Sequence, residues 1–140
     1  MKEISKKNFD GYKYVDGGVC AAKGFKANGL YCGIKENPTK KPDLCLVESD
    51  VMCSAAGVFT QNKVKGAPVT VSQKNLAKTG GKVKGFILNS KNANTCNADG
   101  EEKAYKMCEM TAAKMGVKPE EILIAQTGVC LLYTSPSPRD

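Results

Sequence analysis

Short apolar runs broken by glycine, proline and lysine set the rhythm of this chain, and one long stretch departs from it. From Gly100 to Met115 the residues Ala104, Met107, Cys108, Thr111, Ala112 and Met115 recur at three and four positions, the spacing that gathers one face of an α-helix. Glu101 and Glu102 fall in the first turn, where negative charge suits the positive end of the helix dipole, and Gly116 can close the helix in a left-handed conformation. The remaining runs are shorter. Leu44 to Ser49, Val83 to Leu88 and Ile122 to Ala125 read as buried strands, with Lys118-Pro119-Glu120-Glu121 as a helical turn before the last of them.

Other segments give weaker strand signals. Val19 to Ile34, punctuated by Gly24, Gly29 and Gly33, predicts a hairpin or two short strands, and Lys35 to Asp43 a loop. Ala55 to Thr60 is expected as an antiparallel neighbour of the strand at Leu44, reached through Ser49 to Ser54. Pro68 to Ser72 is expected as a further strand with proline at its first position, followed by a short helix from Gln73 to Lys78 that Gly80-Gly81 stops. Residues 1 to 19 are polar and glycine-rich, a lead-in loop or an edge strand. The sum is about five strands and one good helix, an α/β arrangement with the helix packed on a sheet. After Leu88 comes Asn89-Ser90-Lys91-Asn92-Ala93-Asn94, a run whose short side chains can hydrogen-bond their own backbone. Such a run is ordinarily a structural turn, yet directly after a buried strand it also stands where α/β proteins keep working loops.

With 140 residues the chain has the size of one domain, and none of its apolar runs approaches the roughly 20 residues of a membrane helix. The basic N-terminus leads into Asn8-Phe9-Asp10-Gly11 rather than an apolar segment, so a secretory signal is not expected and a cytoplasmic setting is. Seven cysteines are scattered without a C-x-x-C pair, and histidine is absent. That pattern disfavours zinc fingers, haem attachment and thioredoxin-like sites, and the cysteines read as small reduced core residues. Any catalysis must then use Thr, Ser, Lys, carboxylates or backbone groups. The net charge of +7 rests almost wholly on lysine, and the aromatic fraction is 6%. A solvated lysine surface accounts for this more simply than a nucleic-acid face, which wants clustered charge and stacking aromatics. A small basic nucleic-acid-binding module is nevertheless the principal alternative function, followed by a cysteine-based metal or redox protein.

The end of the last strand carries the candidate chemistry. Ile122-Leu123-Ile124-Ala125 runs straight into Gln126-Thr127-Gly128-Val129, and a strand entering a Thr-Gly turn can bring a hydroxyl and a backbone N–H to one point, as an oxyanion site requires. A Thr-Gly pair is ordinarily a plain turn, so its neighbours must carry the argument. Beyond Val129 the character changes: residues 130–140 hold two of the six prolines and Arg139, the sole arginine. The string Cys130-Leu131-Leu132-Tyr133-Thr134-Ser135-Pro136-Ser137-Pro138-Arg139-Asp140 resembles one reading frame of a transposon-derived sequencing adapter. It is expected to be foreign to the fold, leaving residues 1–129 as the natural part.

Residues from about Gly18 to Val129 resemble the N-terminal part of the ornithine acetyltransferase family, also called ArgJ. The matching stretches are Ala22-Lys23-Gly24-Phe25 with Gly33-Ile34-Lys35, Asp43-Leu44 through Ser49-Asp50, and Ala56-Gly57-Val58-Phe59-Thr60-Gln61-Asn62 with Ala67-Pro68-Val69. Asn89 to Asn94 and Thr127-Gly128-Val129 follow in the same order. The resemblance implies part of an α/β sandwich of mixed sheet and covering helices, truncated here. It implies an enzyme of arginine biosynthesis that moves acetyl from N-acetylornithine to glutamate through an acetyl-threonine, with acetyl-CoA as a possible further donor and no cofactor. The nucleophile would be a threonine freed by self-cleavage in a Lys-Gly-Ala-Thr context, its α-amine acting as base. Thr127, through its side chain, and Gly128, through its backbone, would form the oxyanion hole. No Lys-Gly-Ala-Thr occurs in the chain, so nucleophile, cleavage point and substrate-binding residues are expected downstream, on the remainder of the α chain and on the β chain of the same precursor. The full-length protein would be an oligomer, and the 140 residues alone inactive. Two positions depart from the family's pattern: Lys91 stands where glycine is common and Gln126 where serine is usual.

Overall fold

The computed structural model describes residues 11, 12, 14–34 and 39–128. Within them the chain forms strand β1 (Phe25–Leu30), strand β2 (Leu44–Ser54), helix α1 (Ala67–Thr79), strand β3 (Lys82–Asn89), helix α2 (Gly100–Met115) and strand β4 (Ile122–Gln126). Single turns of 3-10 helix precede β1 at Gly18–Ala21 and β4 at Pro119–Glu121. The four strands make one mixed sheet in the order β1-β2-β3-β4, antiparallel across β1-β2-β3 and parallel between β3 and β4. The α/β class expected from the sequence is therefore observed.

Helix α2 occupies the predicted residues, buries Ala104, Cys108, Thr111 and Ala112, and ends at Gly116 with φ 68°. Strand β3 alternates strictly, with Val83, Gly85, Ile87 and Asn89 buried and Phe86 and Leu88 half-buried on the other face. Ile122 and Ile124 of β4 join Ile87, Cys108, Ala112 and Val71 in one core between sheet and helices, where Ile122 and Cys108 are fully enclosed. At Gly85 an added Cβ would lie 3.0 Å from the Met115 methyl, so the missing side chain lets α2 approach the sheet closely.

Several expectations need correction: Val19 to Ile34 holds the single strand β1 behind a 3-10 turn, not a hairpin or two strands, and the described residues form four strands and two α-helices where about five strands and one good helix were expected. Pro68 to Ser72 is not a strand but the start of α1, and Gln73 to Lys78 is the rest of that helix. Proline at a first position fits a helix as well as a strand, and the buried set Ala67, Pro68, Val71, Ser72 and Asn75 follows the helical period. Ala55 to Thr60 forms no strand. Instead β2 runs through Ser49 to Ser54, shifts register between Glu48 and Cys53, and has β1 and β3 as its antiparallel partners. After Ala55, whose N–H reaches Gly81 O at 2.7 Å, the chain turns on side-chain bonds: Asn62 N–H to Thr60 Oγ1 at 3.2 Å and Val64 N–H to Asn62 Oδ1 at 3.0 Å. The cysteines also differ from expectation: Cys108 is a core residue, whereas Cys20, Cys32 and Cys96 are exposed. No helix among the described residues is long and apolar enough to cross a membrane.

Candidate active site

Parallel pairing of β3 and β4 brings the ends of both strands together, with Asn89 opposite Gln126 on the last rung. The next residue continues the pairing, since Thr127 N–H donates to Asn89 O at 3.1 Å. Gly128 follows at φ 139°, and a Cβ built on it would collide with the main chain of Lys91. Only glycine lets these two backbone segments lie so close. Both Thr127 and Gly128 are exposed, so what they present faces solvent.

The Asn89–Asn94 loop beneath this turn is fixed from every side. Ser90 N–H donates to Asp43 O at 2.9 Å, which ties the loop to the residue before β2. Ala67 N–H donates to Asn94 O at 3.0 Å, which ties it to the first residue of α1. The Asn94 amide donates to Gly100 O at 2.9 Å, at the start of α2. Within the loop, Asn89 Nδ2 donates to the carbonyls of Ser90 and Asn92, both at 3.3 Å, and Asn94 N–H to Asn92 Oδ1 at 2.9 Å. The self-bonding expected of this run is what forms. Gln126 lies at its centre: its Nε2 donates to Asn89 Oδ1 at 2.9 Å and its Oε1 accepts from Asn94 Nδ2 at 2.7 Å.

Backbone strain concentrates here. Lys91 has φ 78°, Asn94 φ 50° and Cys96 φ 61°, three of the four non-glycine residues at positive φ among those described. Such conformations persist where surrounding contacts enforce them, and they gather at working sites. Asn94 tolerates the region well, and a lysine does not. Lys91 therefore stands where the backbone itself favours glycine, the residue that the resemblance leads one to expect there.

Asp43 is buried beside the loop, a placement that nothing in the sequence around it signals. Its carboxylate accepts from Cys32 N–H at 2.8 Å and from the Cys32 thiol at 3.1 Å. Burial, and then this carboxylate, push the Cys32 thiol above its ordinary range. A cavity of about 190 Å³ between Pro42, Asp43, Leu88, Ser90 and Thr127 opens beside the turn. On the other side, a cleft of about 700 Å³ runs between Asn92, Asn97, Lys103, Met107 and Gln126. Val129 lies outside the described residues, as does the stretch 130–140. No group of three or more acidic, cysteine or histidine side chains among the described residues is placed to hold a metal. Lys26, Lys74, Lys78, Lys103 and Lys106 each pair with a carboxylate.

Comparison with known proteins bears on the family of the chain. The sequence model described as the ArgJ family matches residues 26–134. The chain is 49% identical over 106 residues to "Arginine biosynthesis bifunctional protein ArgJ 1" of Clostridium acetobutylicum, covering 75% of this chain and 25% of that protein. It is 42% identical over 119 residues to the ArgJ protein of Gloeobacter violaceus, covering 84% of this chain and 29% of that one. Among solved structures, the argJ protein of Bacillus halodurans superposes with a TM-score of 0.75 at 34% identity, covering 84% of this chain and 60% of that chain. Ornithine acetyltransferase of Mycobacterium tuberculosis, solved with ornithine, superposes with a TM-score of 0.73 at 35% identity, covering 86% and 62%. The chain thus spans between a quarter and a third of the length of these curated relatives. With the family model matching residues 26–134 and relatives named as arginine-biosynthesis proteins, the chain belongs to the ArgJ family.

Proposed function

We propose that this chain supplies the oxyanion-binding part of an acetyltransferase that moves acetyl from N-acetylornithine to glutamate. The observation that carries the reading is the Thr127–Gly128 turn, held at the ends of β3 and β4 by the Thr127–Asn89 bond and by the Gly128 contact with Lys91. Because the Thr127 N–H is spent on Asn89, the donors this turn offers are the Thr127 hydroxyl and the Gly128 N–H. They suit a carbonyl oxygen as it gains negative charge.

In the proposed reaction a threonine hydroxyl attacks the acetyl carbonyl carbon, and the oxygen takes the charge in the Thr127–Gly128 site. Collapse breaks the bond to ornithine nitrogen, which leaves as the protonated amine, with the acetyl group on threonine oxygen. The glutamate amine then attacks that ester through a second oxyanion and carries the acetyl group away. Neither step needs a metal or an organic cofactor, since the free α-amine of the attacking threonine serves as base. Acetyl-CoA, where used, enters as a second acyl donor. The attacking threonine and the substrate-binding groups would lie on the part of the relatives' length that this chain does not span, in the remainder of the α chain and a β chain cut from one precursor. Assembly into an oligomer in the cytoplasm completes the reading.

The test is a chimera in which residues 26–128 replace the corresponding segment of the Clostridium acetobutylicum relative. Folding is checked by circular dichroism and size exclusion, and transfer from N-acetylornithine to glutamate is measured by mass spectrometry. A folded chimera that forms N-acetylglutamate supports the proposal. A folded chimera that self-cleaves yet transfers nothing overturns it.

A further inference from the structure

The side chain of Gln126 has a task that the Thr127–Gly128 pair does not explain. It spans Asn89 Oδ1 at 2.9 Å and Asn94 Nδ2 at 2.7 Å, thereby joining the first and last residues of the strained loop on which Gly128 rests. Asn89 and Asn94 are 6% and 3% exposed, so these amides have little water to fall back on. Met107 of α2 closes the other flank, with its sulfur 3.4 Å from Gln126 Nε2. The strain sits inside the clamp: Lys91, at φ 78°, lies between the two asparagines and carries the main-chain atoms against which Gly128 packs.

We infer that Gln126 is a positioning residue: by bridging Asn89 and Asn94 it holds Lys91 in its unfavourable conformation, and so fixes where the Thr127 and Gly128 donors point. A serine at position 126 is too short to reach both asparagines. A glycine at position 91 would not need holding. The functional weight of this inference rests on the oxyanion reading above, but the clamp itself can be read without any reaction.

Backbone hydrogen exchange, followed by mass spectrometry on the 140-residue chain, tests it. Gln126→Met keeps the length and removes both amide bonds, whereas Gln126→Glu keeps the acceptor for Asn94. Gln126→Met is expected to lower protection over residues 89–94 and at Thr127 about ten-fold, with Gln126→Glu in between and residues 83–87 in β3 nearly unchanged. In a Lys91→Gly background the same substitution should cost several-fold less. Unchanged loop protection in Gln126→Met, equal loss in loop and β3, or an undiminished loss in the Lys91→Gly background would each overturn the inference. In the chimera, Gln126→Met should lower kcat with KM unchanged. If Thr127→Ala impairs that chimera and Gln126→Met does not, the clamp fails and the oxyanion reading stands. If Thr127→Ala is harmless, the oxyanion reading fails while the exchange result still decides the clamp.

Discussion

Ser72 Oγ both donates to Ile124 O at 2.8 Å and accepts from Ile124 N–H at 3.0 Å, so one hydroxyl on α1 satisfies both backbone groups of Ile124 on the outer edge of β4. Asn75, one turn on, donates to Ile122 O at 2.8 Å. At these two residues the helix thereby takes up backbone groups that a further strand would need. Ser72→Ala strands a buried donor and acceptor, and should lower unfolding free energy by about 1–3 kcal/mol in a urea titration. An effect under a few tenths would mean that β4 does not depend on this hydroxyl.

Lys91 should be improved by replacement. Relief of a positive φ at a residue with a Cβ is worth roughly 1–2 kcal/mol, against roughly 0.5–1 kcal/mol for the added freedom of glycine in the unfolded chain. Lys91→Gly is therefore expected to raise the melting temperature by a few degrees. A fall would show that the lysine side chain contributes more than its backbone costs.

The sequence made some of this visible and hid the rest for physical reasons. Helix α2 was legible because its stripe persists over four turns and ends at a glycine. Strands β3 and β4 were legible because their apolar runs are short and sharply bounded. Helix α1 was hidden because Val69-Thr70-Val71 has strand propensity, and only packing of Val71, Ser72 and Asn75 against β4 shows the helical period. The Thr127–Gly128 turn and the asparagine run could each be picked out in the chain, but not the Gln126 amide that joins that run end to end. Contacts between residues 32 and 37 positions apart leave no local trace.

Acid should weaken the contact between α1, α2 and the turn before β4. Glu120, 15% exposed, pairs with Lys78 and accepts from the Tyr105 hydroxyl at 3.1 Å. The Lys78 ammonium, above all, holds the Glu120 carboxyl below its ordinary value of 4.5. A carboxyl whose folded-state pKa is depressed stabilises the fold above its unfolded value and stops doing so as pH falls through the folded one. Stability should therefore decline below about pH 4.5, and Glu120→Gln should flatten that limb while leaving the pH range 6–8 with little slope. An identical acid limb in the variant would assign the loss to other carboxylates.

Thiol reactivity should separate the cysteines by position. Cys108 is fully enclosed and its thiol is pushed up to about 12 by burial, whereas Cys20 and Cys96 are exposed. Brief alkylation at pH 8 with mapping by mass spectrometry should mark Cys20 and Cys96 and spare Cys108 until denaturant is added. Early marking of Cys108 would contradict the described core.

The 140-residue chain, lacking any Lys-Gly-Ala-Thr run, should neither cleave itself nor pass acetyl from N-acetylornithine to glutamate. N-acetylglutamate formed by the purified chain above a no-protein control would place the nucleophile within these residues and remove the proposed division of labour.

The most direct measurement is kcat for N-acetylornithine-to-glutamate transfer by the chimera with and without Thr127→Ala. Loss of one preorganised oxyanion donor should lower kcat about 10²–10³-fold with self-cleavage and fold retained. A folded, self-cleaved Thr127→Ala chimera working at the parent rate would contradict the assignment of Thr127 to the oxyanion site.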